Sequence, residues 1–164
     1  MSEREVFSFL VGKMRFNYRV AGVIIRDGHV LVCREDDEDF IMLPGGRIEH
    51  GEASDVSLSR EIEEELKCTG EIGRLLFAVE DFFKREGEQF HEIGKYYLVE
   101  LPEDFPFILE GPTLSTFDEG HELTFYWLPI AGDALARLNL LPEWIRSRLM
   151  DLPETPQHLI EDER

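Results

Sequence analysis

The sequence predicts a mixed α/β or α+β sandwich. Three observations lead there: several short stretches rich in β-branched residues, one amphipathic helix near residue 60, and a helical C-terminal region. The regular strand–helix alternation of a doubly wound sheet is missing. At 164 residues the chain reads as one domain over 1–164, with an N-terminal strand extension and a flexible acidic tail from Glu154.

In order along the chain, VFSFLV is a first candidate strand. YRVAGVII and HVLVCR follow as a β-hairpin about Asp27-Gly28, with Gly28 free to take positive φ. Glu35 to Asp39 is a run of five like charges that needs water and forms a solvated loop. Phe40–Leu43 is a short strand, halted by Pro44-Gly45-Gly46. A helix runs from Ser54, which can cap it, to Lys67. Ile72–Phe83, Phe90–Glu100 and Glu122–Leu128 read as strands, the first two separated by KREGE. A long loop, or a loop with a distorted strand, lies before the third, and long ordered loops are often functional. From Ile130 the pattern is helical, broken at Pro142, which can open a second helix.

Composition excludes several classes. Lys plus Arg number 17 against 35 Asp plus Glu, a net charge of −18. Such a chain lacks the cationic surface that extended nucleic acid binding requires. If it handles phosphates, it must bring a cation. Two cysteines, Cys33 and Cys68, make no disulfide framework and read as reduced, buried thiols, consistent with a cytoplasmic protein. No apolar run approaches the ~20 residues that span a bilayer, and the acidic N-terminus lacks a signal-peptide pattern.

The helix carries the chemistry. At about 100° per residue, Leu58, Ile62 and Leu66 form an apolar stripe. Glu61, Glu64 and Glu65 share one flank of that stripe with Ser57, while Glu63 points away. Three neighbouring carboxylates repel unless a cation sits among them, and Arg60 cannot neutralise all three. A hard divalent ion, Mg²⁺ or Mn²⁺, would. Taken alone, EIEEEL is equally the solvated face of a helix; Pro44-Gly45-Gly46, Glu52 and Arg60 at fixed spacing weigh against that. No His/Cys spacing suggests zinc.

Gly46, Glu52, Arg60, Glu61, Ile62, Glu64 and Glu65 fall on the pattern G-x5-E-x7-R-E-U-x-E-E-x-G-U, U being a bulky aliphatic residue. The segment Gly46–Cys68 therefore resembles the signature of the Nudix hydrolase family, with Leu43-Pro44-Gly45 similar to its usual approach. Lys67 stands where the pattern has Gly, and Cys68 where it has an aliphatic residue; Gly70 is then the expected helix terminator. The resemblance implies a Nudix-type α/β/α sandwich with a mixed sheet and a central catalytic helix. It implies a MutT-like hydrolase of phosphorus-containing anhydrides, cleaving a nucleoside diphosphate linked to another moiety with Mg²⁺ or Mn²⁺. By position, Glu61, Glu64, Glu65 and the carbonyl of Gly45 would hold metal, Glu52 would assist, and Arg60 would orient the glutamates. The general base would be Glu61 or a residue of the late acidic loop, Glu119 or Glu122. Arg47 is a candidate phosphate contact. His121, in DEGHE, is a candidate for substrate contact or proton transfer, whereas His91 reads as structural.

The leading substrate expectation is a nucleoside triphosphate cleaved to nucleoside monophosphate and pyrophosphate. Nucleotide sugars, ADP-ribose and dinucleoside polyphosphates are the alternatives. The coenzyme A pattern is missing, Lys84 stands where ADP-ribose hydrolases place proline, and Phe82-Phe83 where dinucleoside polyphosphate enzymes place tyrosine. A catalytically silent nucleotide- or protein-binding Nudix module is the reading from another class, disfavoured by the intact glutamates. The partner expected is a small nucleotide, with no membrane and no extended nucleic acid. A homodimer is compatible with the resemblance, and one or two exposed aromatic rings could stack on a base.

Overall fold

Strand β2 explains the architecture. A computed structural model describes residues 4–164; the first three residues of the acidic N-terminal stretch lie outside the described residues. Strands β1 (Ser8–Val11) and β2 (Met14–Val23) form a hairpin. Val20 and Ile24 are buried on one side of this segment and Ala21 and Val23 on the other. Such two-sided burial needs cover on both faces, as period-2 strand geometry dictates.

The chain leaves the first sheet at Ile24, so the expected Tyr18–Arg34 hairpin is corrected. Only β3 (Ile25–Arg26) pairs with β4 (His29–Glu35), around Asp27 and Gly28, both at positive φ. The residue run between them turns as expected, but β2 belongs to the other sheet. Strands β5 (Ile41–Met42) and β6 (Gly45–Arg47) follow, then helix α1 (Ser54–Leu66). The long pair β7 (Glu71–Arg85) and β8 (Glu88–Glu100) turns at Glu86-Gly87. Next come β9 (Leu114–Asp118), β10 (His121–Pro129), α2 (Ala134–Arg137), β11 (Leu140–Leu141), α3 (Ile145–Arg148) and β12 (Gln157–Asp162).

One sheet runs β1-β2-β8-β7-β12, with β6 beside β2; the other runs β11-β5-β4-β10-β9, with β3 beside β4. Parallel β2–β8 and antiparallel β7–β8 pairs make the first sheet mixed. Leu58, Ile62 and Leu66 of α1 pack with Leu31, Val99 and Phe125 in one core. Leu135, Trp144 and Ile145 close a second core around Val32, Phe77 and Tyr96. Helix α1 thus lies on one side of the sheets and the C-terminal helices on the other, an α/β/α arrangement.

Four local expectations are corrected. Ser54 does not cap α1; its hydroxyl pairs with Tyr97 Oη at 2.6 Å, and Ala53 occupies the N-cap without a side-chain bond. Lys67 itself takes the left-handed conformation at the helix end, φ 58° and ψ 32°, its N–H donating to the Glu63 carbonyl. Gly70 is instead a packing glycine, where an added Cβ would sit 3.0 Å from Ile62 Cγ2. The C-terminal helices are single turns, because Asn139 goes left-handed and β11 pairs with β5. The acidic tail is not a free end: β12 pairs in parallel with β7 from Gln157↔Phe77 to Asp162↔Phe82. A backbone ladder needs no apolar side chains, so acidity does not prevent it.

Candidate active site

Three pieces of chain meet at the C-terminal half of α1. The first is the Leu43–Arg47 segment. Gly45 and Gly46 pair with Ala21 and Val20 of β2, and both face a cleft of about 550 Å³. An added Cβ on Gly46 would lie 2.5 Å from Cδ and Oε1 of Glu61, so the loop touches the helix carboxylate at the closest approach glycine permits. The second piece is α1 itself, which buries Ser57, Glu61 and Glu65 beside its apolar stripe and leaves Glu63 exposed. The third is the β9–β10 hairpin. Thr116 Oγ1 donates to the Glu65 carbonyl at 2.7 Å and so fastens β9 to the helix.

Glu61 is 4 % exposed and Glu65 is 7 % exposed. Burial pushes both carboxyls above the ordinary range; Arg60 pulls Glu61 partly back, and the neighbouring Glu61 pushes Glu65 further up. Arg60 grips Glu52 bidentately, Nε and Nη2 each at 2.9 Å, which holds Glu52 below its usual range. Nη1 of the same guanidinium reaches Glu61 at 3.1 Å and Glu64 at 3.2 Å. Carboxylate oxygens of Glu61, Glu64 and Asp118 all lie within 4.8 Å of one another. An all-carboxylate set with a glycine floor suits a hard divalent cation and offers no soft ligand.

The cleft continues into cationic side chains. Arg19 and Arg47 are direct cross-strand partners on β2 and β6, a like-charged pair that lowers the Arg47 pKa after burial has done so. Among the described residues, ion pairs engage Arg4, Arg15 and Arg60 but leave Arg19, Arg47 and Arg85 without one. Two cations held side by side in a cleft opposite buried carboxylates make a seat for a polyanion.

Residues 17–140 match the family model of the NUDIX domain. The chain belongs to the NUDIX family. It is a Nudix-type pyrophosphohydrolase acting on phosphoanhydride-linked nucleotides, with a site suited to a divalent metal. Among solved structures, the Nudix chain is similar to a UDP-X diphosphatase at 21 % identity and TM-score 0.59, over 87 % of this chain and 66 % of that one. It is similar to a mutator MutT protein from Bacillus halodurans at 18 % identity and TM-score 0.61, over 88 % and 89 %. A MutT NUDIX hydrolase from Burkholderia pseudomallei matches at 24 % identity and TM-score 0.54, over 70 % and 84 %. At these identities the likenesses carry the fold. No curated protein matches the chain in a sequence search. No helix among the described residues is long and apolar enough to cross a membrane.

Of the residues the Nudix signature singled out, Gly45, Glu61 and Glu65 line the cleft, and Glu64 joins them through Asp118. Glu52 stands behind, engaged with Arg60. Arg47 lines the cleft. The late acidic loop is a tight hairpin: Glu119 and Gly120 turn at positive φ between Asp118 and His121. Glu119 reaches the cleft, whereas Glu122 accepts from Ser115 at 3.3 Å and does not line it. His121 binds Asp36 Oδ2 at 2.7 Å, which raises the imidazole and lowers the carboxyl. His91 stacks on Phe82, ring centroids 4.4 Å apart. Asp118, Arg4, Arg19 and Arg85 were missed from sequence. Arg4 bonds Glu64 at 2.7 Å and Glu119 at 2.9 Å, crossing from the N-terminal arm into the carboxylate cluster.

Proposed function

We propose that this Nudix hydrolase cleaves nucleoside triphosphates to nucleoside monophosphate and pyrophosphate, using Mg²⁺ or Mn²⁺. The observation that carries the reading is the opposition of a buried carboxylate cluster to the unpaired arginines Arg19, Arg47 and Arg85 in one cleft. Glu61, Glu64 and Glu65 would hold the metal, with the Gly45 carbonyl beside them and Asp118 completing the set. When bound, the metal would neutralise phosphate charge and lower the pKa of a water. Arg19 and Arg47 bind the phosphate chain and fix it in line. Arg60 keeps Glu52, Glu61 and Glu64 in register through four hydrogen bonds. Glu61 or Glu119 takes the proton from the attacking water; of the late-loop carboxylates, Glu119 is the one facing the cleft. Glu65, buried and raised, keeps the opposite wall dry and dense in charge.

The test is a hydrolysis screen with Mg²⁺ and Mn²⁺ across nucleoside triphosphates, ADP-ribose, nucleotide sugars and dinucleoside polyphosphates. Triphosphates should lead, with pyrophosphate released. Glu61→Gln and Glu65→Gln should each lower kcat by about 10²- to 10⁴-fold, the range for losing acid–base or positioned charge. Wild-type rates in both variants would refute the assignment.

A further inference from the structure

Beyond the arginines lies a second cavity of about 340 Å³, which shares Arg19, Met42, Arg47 and Arg85 with the carboxylate cleft. Its floor is a row of acceptors built by strand register. Asn17 of β2 is the partner of Glu92 on β8, and Glu92 is the partner of Asp81 on β7. Neighbouring strands lie about 4.8 Å apart, so these three side chains stand side by side on one face. That face belongs to a hydrophobic core further along the same strands, where Ala21, Tyr96 and Phe77 occupy the equivalent positions. A core face has therefore been made polar within buried territory.

The row is under-bonded. Asn17 is 5 % exposed and Asp81 4 % exposed, and each keeps its Oδ1 without a hydrogen-bond partner. The bonds they do make, Asn17 to Glu92 and Trp144 to Asp81, are long at 3.4 Å. A buried acceptor left unpaired costs about 1–3 kcal/mol, so two in one row call for a ligand that brings donors. The next positions along β7 and β8 are Phe83 and Phe90, stacked with centroids 4.9 Å apart and lining the same cavity. Aromatic side chains beside acceptors match a planar heterocycle more closely than a sugar.

We infer that this cavity is a nucleobase site, in which Asn17, Asp81 and Glu92 select a base presenting adjacent N–H donors, as the ring N–H and exocyclic amine of guanine do. The inference rests on the proposed function for the position of the phosphates, which Arg19 and Arg47 hold between the two cavities. A site whose buried acceptors need donors discriminates strongly against a base that presents an acceptor there.

Equilibrium binding of GMP, AMP, CMP and UMP to the full chain without metal tests the site apart from catalysis. GMP should bind at least tenfold more tightly than AMP. Asp81→Asn, which preserves shape, should weaken GMP by about 10- to 100-fold, the effect of losing a charged hydrogen-bond acceptor, and leave AMP within about twofold. Glu92→Gln should act in the same direction, and thermal melting should show both variants folded. Equal affinity for the four nucleotides, or an unchanged preference in Asp81→Asn, would overturn the inference. So would loss in Asp81→Asn of hydrolysis of a UDP-sugar with no base preference, because the row would then bind sugar hydroxyls. Failure of the proposed function shows separately, as no anhydride hydrolysis while GMP selectivity persists.

Discussion

Replacing Gly46 with alanine separates the site from the fold. The new Cβ would lie 2.5 Å from Glu61 Oε1, and ordinary contact begins at 3.4 Å, so the carboxylate must retreat by 3.4 − 2.5 = 0.9 Å. The far end of a flexible side chain can move that far at about 1 kcal/mol of rotamer strain. For a chain of this size that lowers Tm by roughly 2–4 °C. Catalysis is less forgiving, since a displacement of about 1 Å in a catalytic group costs about 100-fold. Gly46→Ala should therefore melt near wild type, bind Mn²⁺ more weakly by calorimetry, and lose about two orders of magnitude in kcat. Gly45→Ala is the contrast: its Cβ would meet the Val20 carbonyl oxygen at 2.1 Å and Ala21 Cα at 2.8 Å, so the backbone must part and folding suffers. Unchanged metal affinity and rate in Gly46→Ala would show that Glu61 does no work in this cleft. A Tm loss matching that of Gly45→Ala would show that the glycine serves β6 packing alone.

Arg4 is a built-in competitor for the carboxylate cluster, bonded to Glu64 and Glu119 and 3.8 Å from Glu61. Arg4→Ala should tighten Mn²⁺ binding about threefold to tenfold, read by calorimetry; weaker binding would instead make Arg4 a support of the cluster. Lys67→Gly should relieve a left-handed residue, a conformation costing about 1–2 kcal/mol, offset by loss of the 2.6 Å bond from Lys67 Nζ to the Glu64 carbonyl. A net rise in Tm is expected, and a fall would place more weight on that bond. Asp81 faces Glu92 on β8, Glu161 on β12 and Glu163 just beyond it, with Trp144 donating; burial, then these carboxylates, push it up to about 7. Its folded pKa exceeds the unfolded one, so the folded state binds the extra proton and loses stability as pH rises from about 4 through 7. At about 1.4 kcal/mol per pH unit the limit is roughly 4 kcal/mol. The Tm advantage of Asp81→Asn over wild type should grow from pH 5 to pH 8; a constant difference would contradict the shift.

What was legible in the sequence is what one contiguous stretch encodes. From Leu43 to Leu66 the glycine loop and the helix are consecutive, and helical periodicity alone places Glu61, Glu64 and Glu65 on one flank with Glu63 opposite. The rest depends on strand register, which a single sequence leaves open. Asp118 and Glu119 are neighbours, and only the β9–β10 turn decides that Asp118 meets Glu61 while Glu119 reaches Arg4. Arg19 and Arg47 are separated by a strand, a loop and a change of sheet, yet are direct partners. Asn17, Asp81 and Glu92 are polar residues of three strands that each look solvent-facing in isolation. The β12 tail hid for the opposite reason: parallel pairing with β7 uses backbone groups that every residue carries, and only Leu159 among its side chains packs against the core.

The excess of 35 acidic over 17 basic residues does not oppose phosphate binding, because charge acts over distance. The exposed acids of Glu35–Asp39 are solvated and screened within about 8–10 Å at physiological salt. Inside the cleft, screening is weaker, and local pairs dominate. The Arg19–Arg47 pair is unfavourable for the fold on its own, since like charges face each other across two strands. A phosphate chain between them removes that repulsion and adds attraction, so the same pair that destabilises the protein strengthens its hold on substrate. The carboxylate cluster has the matching logic with the sign reversed, relieved by a cation. Arginine and carboxylate are then separable by kinetics: Arg19→Gln should act through KM, because phosphate contacts exist before and during reaction, whereas Glu61→Gln should act through kcat.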